Sequence, residues 1–156
     1  MHTGAALQMV VSLQNGSSKR QPDMRALVVD DDLEIALLVQ KILQSRGVEV
    51  VLAPNGREAL CLARKESFDL IILDIMMPGV DGTSVLAELR RRPEHDGARI
   101  VMLTARGEPR DAKETSRIGA DAYVTKPFTM NDLLKAIGSQ SLPVAQSSAP
   151  HTERTF

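Results

Sequence analysis

Four short apolar runs in this chain each stop at a residue able to do chemistry. Leu27-Val28-Val29 stops at Asp30-Asp31-Asp32, and Leu70-Ile71-Ile72-Leu73 stops at Asp74. Val101-Met102-Leu103 stops at Thr104, and the run 122–125 stops at Lys126. Short apolar runs bounded by turn signals read as buried strands. Asp74 is followed by Ile75-Met76-Met77-Pro78-Gly79-Val80-Asp81-Gly82, a turn rich in Pro and Gly. In a parallel sheet all four ends lie on one edge, the edge where open α/β sheets bind ligands. Acids from the first and third strands then converge in one crevice, with Thr104 and Lys126 beside them.

Carboxylates crowded into a crevice repel one another and raise each other's pKa. A divalent cation relieves that repulsion. Mg²⁺ takes oxygen ligands, commonly one or two carboxylates together with phosphate oxygens and water. A carboxylate is also a nucleophile toward phosphorus. Lys126 is suited to pair with developing phosphoryl charge, and Thr104 to donate a hydrogen bond to one of its oxygens. Asp30, Asp31 and Asp74 are therefore candidate Mg²⁺ ligands, and the whole set suffices for phosphoryl transfer to Asp74.

These residues need a scaffold. Apolar runs at 26–29, 48–52, 70–73, 100–103 and 122–125 predict five strands. The segments between them have helical spacing. Ile35, Leu38, Val39 and Ile42 fall at i, i+3, i+4 and i+7 and predict the buried face of a first helix. Gly47 predicts its stop. Ala59, Leu60 and Ala63 mark a second helix, Val85, Leu86 and Leu89 a third, and Leu133, Leu134 and Ile137 a last one over 131–138. Residues 108–118 carry few large apolar side chains, which predicts a weakly packed, mobile helix. Strands alternating with helices imply βαβ units, and near-continuous apolar strands imply burial on both faces. The expected fold is a doubly wound, five-stranded parallel sheet with helices on both sides.

The chain has 156 residues, 43% of them hydrophobic, which suits one domain with spare length. Aromatic residues are only 3%, which disfavours a stacking platform for single-stranded nucleic acid. A net charge of -1 gives no reason to expect direct nucleic-acid or anionic-membrane binding. The single cysteine, Cys61, leaves no internal disulfide and suits a reducing, cytoplasmic compartment. No apolar run approaches the ~18 residues of a membrane span, and the mildly apolar stretch 5–13 lacks the basic flank of a signal peptide. Residues 1–23 read as a flexible arm and 139–156 as a disordered tail, leaving a packed domain over 24–138.

Several of these residues also have plain structural readings. Asp31 with Glu34 could form a helix capping box. Cys61 reads as an inert small residue, and His2, His95 and His151 as scattered polar positions. Arg90-Arg91-Arg92 reads as a solvated helix end favoured by the helix dipole. Leu33 and Leu37 fall off the stripe of the first helix, beside the acidic crevice, and are candidates for partner docking.

With these pieces in order, the chain resembles the receiver domain of two-component response regulators. The resemblance rests on Leu27-Val28-Val29-Asp30-Asp31-Asp32, the segment from Asp69 to Gly79, Leu103-Thr104-Ala105, and the segment from Gly119 to Phe128. It spans about 24–138 and implies the strand order 2-1-3-4-5. It implies that Asp74 accepts a phosphoryl group from a phosphohistidine donor. Mg²⁺ would be held by Asp30 and Asp31, one of them largely through water, by Asp74 and by the backbone carbonyl of Met76. Thr104 and Lys126 would contact the phosphoryl group. Tyr123 would be an aromatic switch that moves inward when Thr104 shifts. The Lys126–Pro127 bond would be cis.

The implied partners are a sensor histidine kinase or histidine phosphotransferase and a downstream protein of unknown identity. The chain would act as a monomer or as a phosphorylation-dependent dimer, without an attached output domain, although a fragment of a longer hybrid protein stays open. It would be no enzyme beyond promoting its own aspartyl phosphorylation and dephosphorylation. Two rivals remain. A haloacid-dehalogenase-like phosphatase or phosphotransferase would need a second Asp at the position of Met76. A phosphorylation-independent adaptor would leave Asp30, Asp31, Asp74, Thr104 and Lys126 without a task.

Overall fold

The computed structural model describes residues 24–105, 109–138 and 142–143. Five strands and five helices alternate along the chain: β1 (Arg25–Val29), α1 (Leu33–Gln44), β2 (Glu49–Ala53), α2 (Gly56–Lys65), β3 (Leu70–Asp74), α3 (Gly82–Arg90), β4 (Arg99–Ala105), α4 (Pro109–Ile118), β5 (Ala122–Lys126) and α5 (Met130–Ile137). A single 3₁₀ turn, Pro93–His95, lies between α3 and β4. All strand pairings are parallel and the order is β2-β1-β3-β4-β5, as the resemblance implied.

Alternation along the strands splits the core into two layers. Val28, Leu70, Ile72 and Leu103 face α1 and α5, where they meet Val39, Leu43, Leu133 and Ile137. Leu27, Val29, Ile71, Leu73 and Met102 face the other side, where they meet Ala59, Ala63, Val85, Leu86 and Leu89 of α2 and α3. β3 is buried along its whole length because it lies at the centre and is covered on both faces.

The expected strands are all present, with shifted ends. β2 starts one residue later than the apolar run, because Val48 packs in the core before pairing begins. β4 extends through Thr104, and β3 and β5 include Asp74 and Lys126 as their last residues. The buried face of α1 differs from expectation. It consists of Ala36, Val39, Ile42 and Leu43, while Leu38 is 48% exposed and Ile35 is only half-buried. Apolar residues occupy almost every side of this helix, so spacing alone could not select the face. Tertiary packing selects the one that brings small Ala36 against the sheet.

Local signals start the helices. Asp32, not Asp31, caps α1, its carboxylate accepting from the N–H groups of Glu34 and Ile35. Asn55 caps α2 and Asp81 caps α3. Thr129 and Asp132 form a reciprocal capping box on α5, which therefore starts one residue earlier than expected. Gly47, at φ +79°, lies three residues past the end of α1. Gly82 sits where a Cβ would come within 2.1 Å of the Asp74 carbonyl oxygen, so α3 starts against the end of β3 only because position 82 has no side chain. The Lys126–Pro127 peptide is cis.

α4 has the narrow packing face its composition suggested. Lys113, Glu114, Ser116 and Arg117 are exposed, and Thr115 is buried. The arm 1–23, Glu108 and the tail positions 139–141 and 144–156 lie outside the described residues. Leu142 is described, and its placement changes the boundary read from sequence: it is buried in the core layer of α1 and α5.

Candidate functional site

The carboxyl ends of β1, β3 and β5 bring four charged groups to one point. Asp30 and Asp74 are only 2% and 3% exposed. Asp31 is exposed at the mouth. One carboxylate oxygen from each of Asp30, Asp31 and Asp74 lies within 4.8 Å of the others. Lys126 reaches between the two buried acids, its Nζ standing 2.9 Å from Asp30 Oδ2 and 3.4 Å from Asp74 Oδ1. Backbone donors orient both carboxylates. The Asp32 N–H donates to Asp30 Oδ1 at 2.9 Å, and the Met76 N–H donates to Asp74 Oδ1 at 3.3 Å.

The electrostatics follow from this crowding. Burial pushes the Asp74 carboxyl up from 3.8 to about 6, and the Asp30 charge adds to the rise, while the charge and hydrogen bond of Lys126 and the Met76 N–H oppose it. Burial alone would lower the Lys126 ammonium. Its bond to Asp30 and the charge of Asp74 outweigh that and hold it above its ordinary value. Three carboxylates set against one ammonium leave an excess of negative charge. An all-oxygen donor set with that excess fits a hard divalent cation such as Mg²⁺.

Thr104 is buried one residue beyond the level of Asp74, whose register partner on β4 is Leu103. Tyr123 pairs with Met102, so Tyr123 and Thr104 lie on the same face of the sheet. The ring of Tyr123 is half-buried against the α2/α3 core layer. Its hydroxyl donates to the Ala112 carbonyl at 2.6 Å and accepts from Thr115 Oγ1 at 2.8 Å. Around the crevice mouth, Leu33 (64% exposed), Leu37, Met76 (70%) and Met130 are exposed apolar side chains.

Asp30, Asp31, Asp74 and Lys126 thus meet as read from sequence, while Thr104 and Tyr123 stand on adjacent strands one layer away. Three other readings change. His95 is fully buried, its Nε2 2.9 Å from the Ala63 carbonyl oxygen, rather than a loop position. Arg90 is not part of a solvated helix end. Its guanidinium bonds the carbonyls of Gly119 and His95 and the carboxylate of Asp121, tying α3 to the α4–β5 turn. Arg92 pairs with Glu88 and Glu94, so only Arg91, with an 80% exposed side chain, matches the expectation. Thr115 carried no sequence signal, because its role depends on Tyr123 arriving from another element. Cys61 is free and exposed.

Residues 26–138 match the sequence profile of the response regulator receiver domain. The chain is 44% identical over 115 residues to a probable transcriptional regulator, ycf27, of Porphyra purpurea, covering 74% of this chain and 46% of that protein. It is 37% identical to a probable transcriptional regulator, ycf29, of Pyropia yezoensis, covering 74% of this chain and 52% of that one. The chain thus spans about half the length of these curated relatives. Among solved structures it resembles the chemotaxis response regulator CheY4 of Vibrio cholerae, with a TM-score of 0.71 and 36% identity, covering 76% of this chain and 98% of that one. It also resembles the receiver domain of a signal transduction histidine kinase from Syntrophus aciditrophicus, with a TM-score of 0.68 and 29% identity, covering 85% and 97%. Among the described residues, no helix is long and apolar enough to cross a membrane.

Proposed function

The chain belongs to the response regulator receiver domains of two-component signalling, and from that premise we propose that Asp74 is its phosphoacceptor and Mg²⁺ its cofactor. The observation that carries this reading is the bridging of buried Asp30 and Asp74 by Lys126, with Asp31 completing an oxygen triad. A structural salt bridge would need one acid for one lysine. Here a surplus of carboxylates is held together, which is useful when a cation and a phosphoryl group enter.

Asp30, Asp31 and Asp74, with the Met76 carbonyl, would hold Mg²⁺, which when bound neutralises charge on the phosphoryl oxygens. An Asp74 carboxylate oxygen attacks phosphorus as the bond to the donor's imidazole nitrogen breaks, and the imidazole leaves with that electron pair. Lys126 shifts from the carboxylates to a phosphoryl oxygen, and Thr104 donates to another. Burial excludes much of the water that would hydrolyse the acyl phosphate.

The donor would be a sensor histidine kinase or histidine phosphotransferase, with Leu33, Leu37, Met76 and Met130 forming an apolar rim for its docking. Tyr123 would report occupancy of the site to a downstream partner. The functional unit would be 24–138 with Leu142, and the cytoplasm its compartment. The phosphatase alternative lacks support, because Met76 stands where a second acid would be needed.

Incubation with acetyl phosphate and Mg²⁺ tests this reading by intact mass. One phosphoryl mass should appear, hydroxylamine should remove it, and chelation should prevent it. Labelling that persists in Asp74→Ala would refute the assignment.

A further inference from the structure

Among the described residues, the Tyr123 hydroxyl is held by α4. Its hydroxyl donates to the Ala112 carbonyl, so the short contact with Thr115 Oγ1 places the Thr115 hydroxyl as donor to the tyrosine oxygen. Both partners belong to α4, and neither belongs to the strand that carries Thr104. Thr115 is fully buried, in a helix whose neighbouring side chains, Lys113, Glu114, Ser116 and Arg117, face solvent. A buried hydroxyl on so narrow a packing face is costly unless it has a partner.

We propose that Thr115 is a positioning residue for the switch: its hydroxyl latches Tyr123 to α4 in the resting position and so sets how readily the site is phosphorylated. The proposal rests on the reading of Asp74 as phosphoacceptor and of Tyr123 as the ring that moves inward. Inward movement must break the Thr115 and Ala112 bonds or carry α4 along with the ring. Either way the bonds favour the resting state. A state that binds the phosphoryl group better is penalised by whatever stabilises its competitor. Loss of the latch should therefore raise the reactive fraction by about five-fold, the effect of one net hydrogen bond of about 1 kcal/mol.

Thr115→Val removes the hydroxyl at nearly constant shape, and Tyr123 retains its bond to Ala112. Thr115→Ser keeps the hydroxyl. In the full chain, the rate of labelling by acetyl phosphate and Mg²⁺ should rise about five-fold in Thr115→Val and stay near the wild-type value in Thr115→Ser. Tyr123 is the only tyrosine and the chain has no tryptophan, so intrinsic emission reports on this ring alone. Without phosphodonor, emission of Thr115→Val should move toward that of phosphorylated wild type. Tyr123→Phe should also accelerate labelling, and the double variant should be no faster than the faster single one.

A merely structural Thr115 would lower the melting temperature in both variants and leave the labelling rate and emission unchanged. That result, or a Thr115→Ser variant behaving like Thr115→Val, would overturn the latch while wild type still labels at Asp74. Absence of labelling in wild type would instead overturn the phosphoacceptor reading, and the latch with it.

Discussion

Asp74 combines deep burial with a like charge beside it, and the direction of its shift has a consequence for stability. An acid whose carboxyl is raised from 3.8 to about 6 on folding keeps its proton longer in the fold than in the unfolded chain. Its contribution therefore favours the fold below about pH 4 and is lost as pH rises toward 6. At pH 7.5 the metal-free protein bears a penalty of at most about 3 kcal/mol from this group. Asp74→Asn removes the titration. The variant should melt above wild type at pH 7.5 without Mg²⁺, and the gap should shrink at pH 5. Mg²⁺ should raise the melting temperature of wild type by more than that of the variant. Thermal scans at the two pH values, with and without Mg²⁺, give all these differences. An Asp74→Asn variant less stable than wild type at pH 7.5 would mean that the carboxylate is a net stabilising partner of Lys126 instead.

The elements matter through how closely they approach one another. α3 begins against the end of β3, and the Gly82 N–H donates to the Ile75 carbonyl at 2.9 Å. A Cβ at position 82 would fall 2.1 Å from the Asp74 carbonyl oxygen, a backbone atom with no flexible side chain to move aside. Gly82→Ala should cost about 3 kcal/mol or more and should also slow labelling, since it pushes on the backbone of Asp74, the proposed acceptor. Gly97, with nothing within 4 Å of its virtual Cβ, is the control, and Gly97→Ala should stay within about 0.5 kcal/mol. Urea denaturation of both variants tests the contrast. Arg90 works at the same scale. Its two hydrogen bonds to Gly119 and Asp121 fix the far end of α4 to α3, while the Tyr123 contact holds the helix nearer its start.

Across the whole molecule, the packed unit is larger than its alternating strands and helices. Leu142 returns to the core layer of α1 and α5, and Pro143 comes to lie beside Gly47, just past the end of α1. A chain ending at Gly138 loses that contact. Truncation there should cost about 1–2 kcal/mol and lower the melting temperature by several degrees, and Leu142→Ala in the full chain should reproduce most of the loss. Truncation after Pro143 should keep full stability. The proposed phosphoryl site lies at the opposite edge of the sheet, so labelling rates should be alike in all three. Differential scanning calorimetry beside a labelling assay separates stability from chemistry.

The alternation of strands and helices and the polar strand ends were legible in the residues alone, for a local reason, whereas the strand order came by resemblance. Strand burial is written as uninterrupted apolar runs, and a parallel sheet sends every carboxyl end to the same edge. Asp30, Asp31, Asp74 and Lys126 were brought to one edge by that rule, and β1 lying beside β3 closed the distance between the acids. Roles that depend on which of several apolar or polar residues meets a distant element were not legible. Leu38 lost its place in the core to Ala36 because α1 is apolar nearly all round and only the sheet surface could choose. His95 became a buried anchor because the α3–β4 connection folds back over α2, and Arg90 a half-buried tie because the α4–β5 turn comes to lie beside α3, neither of which has a local signal. Thr115 and Leu142 acquired partners from other elements across the fold. Periodicity records what a residue buries. Tertiary packing alone decides what it touches.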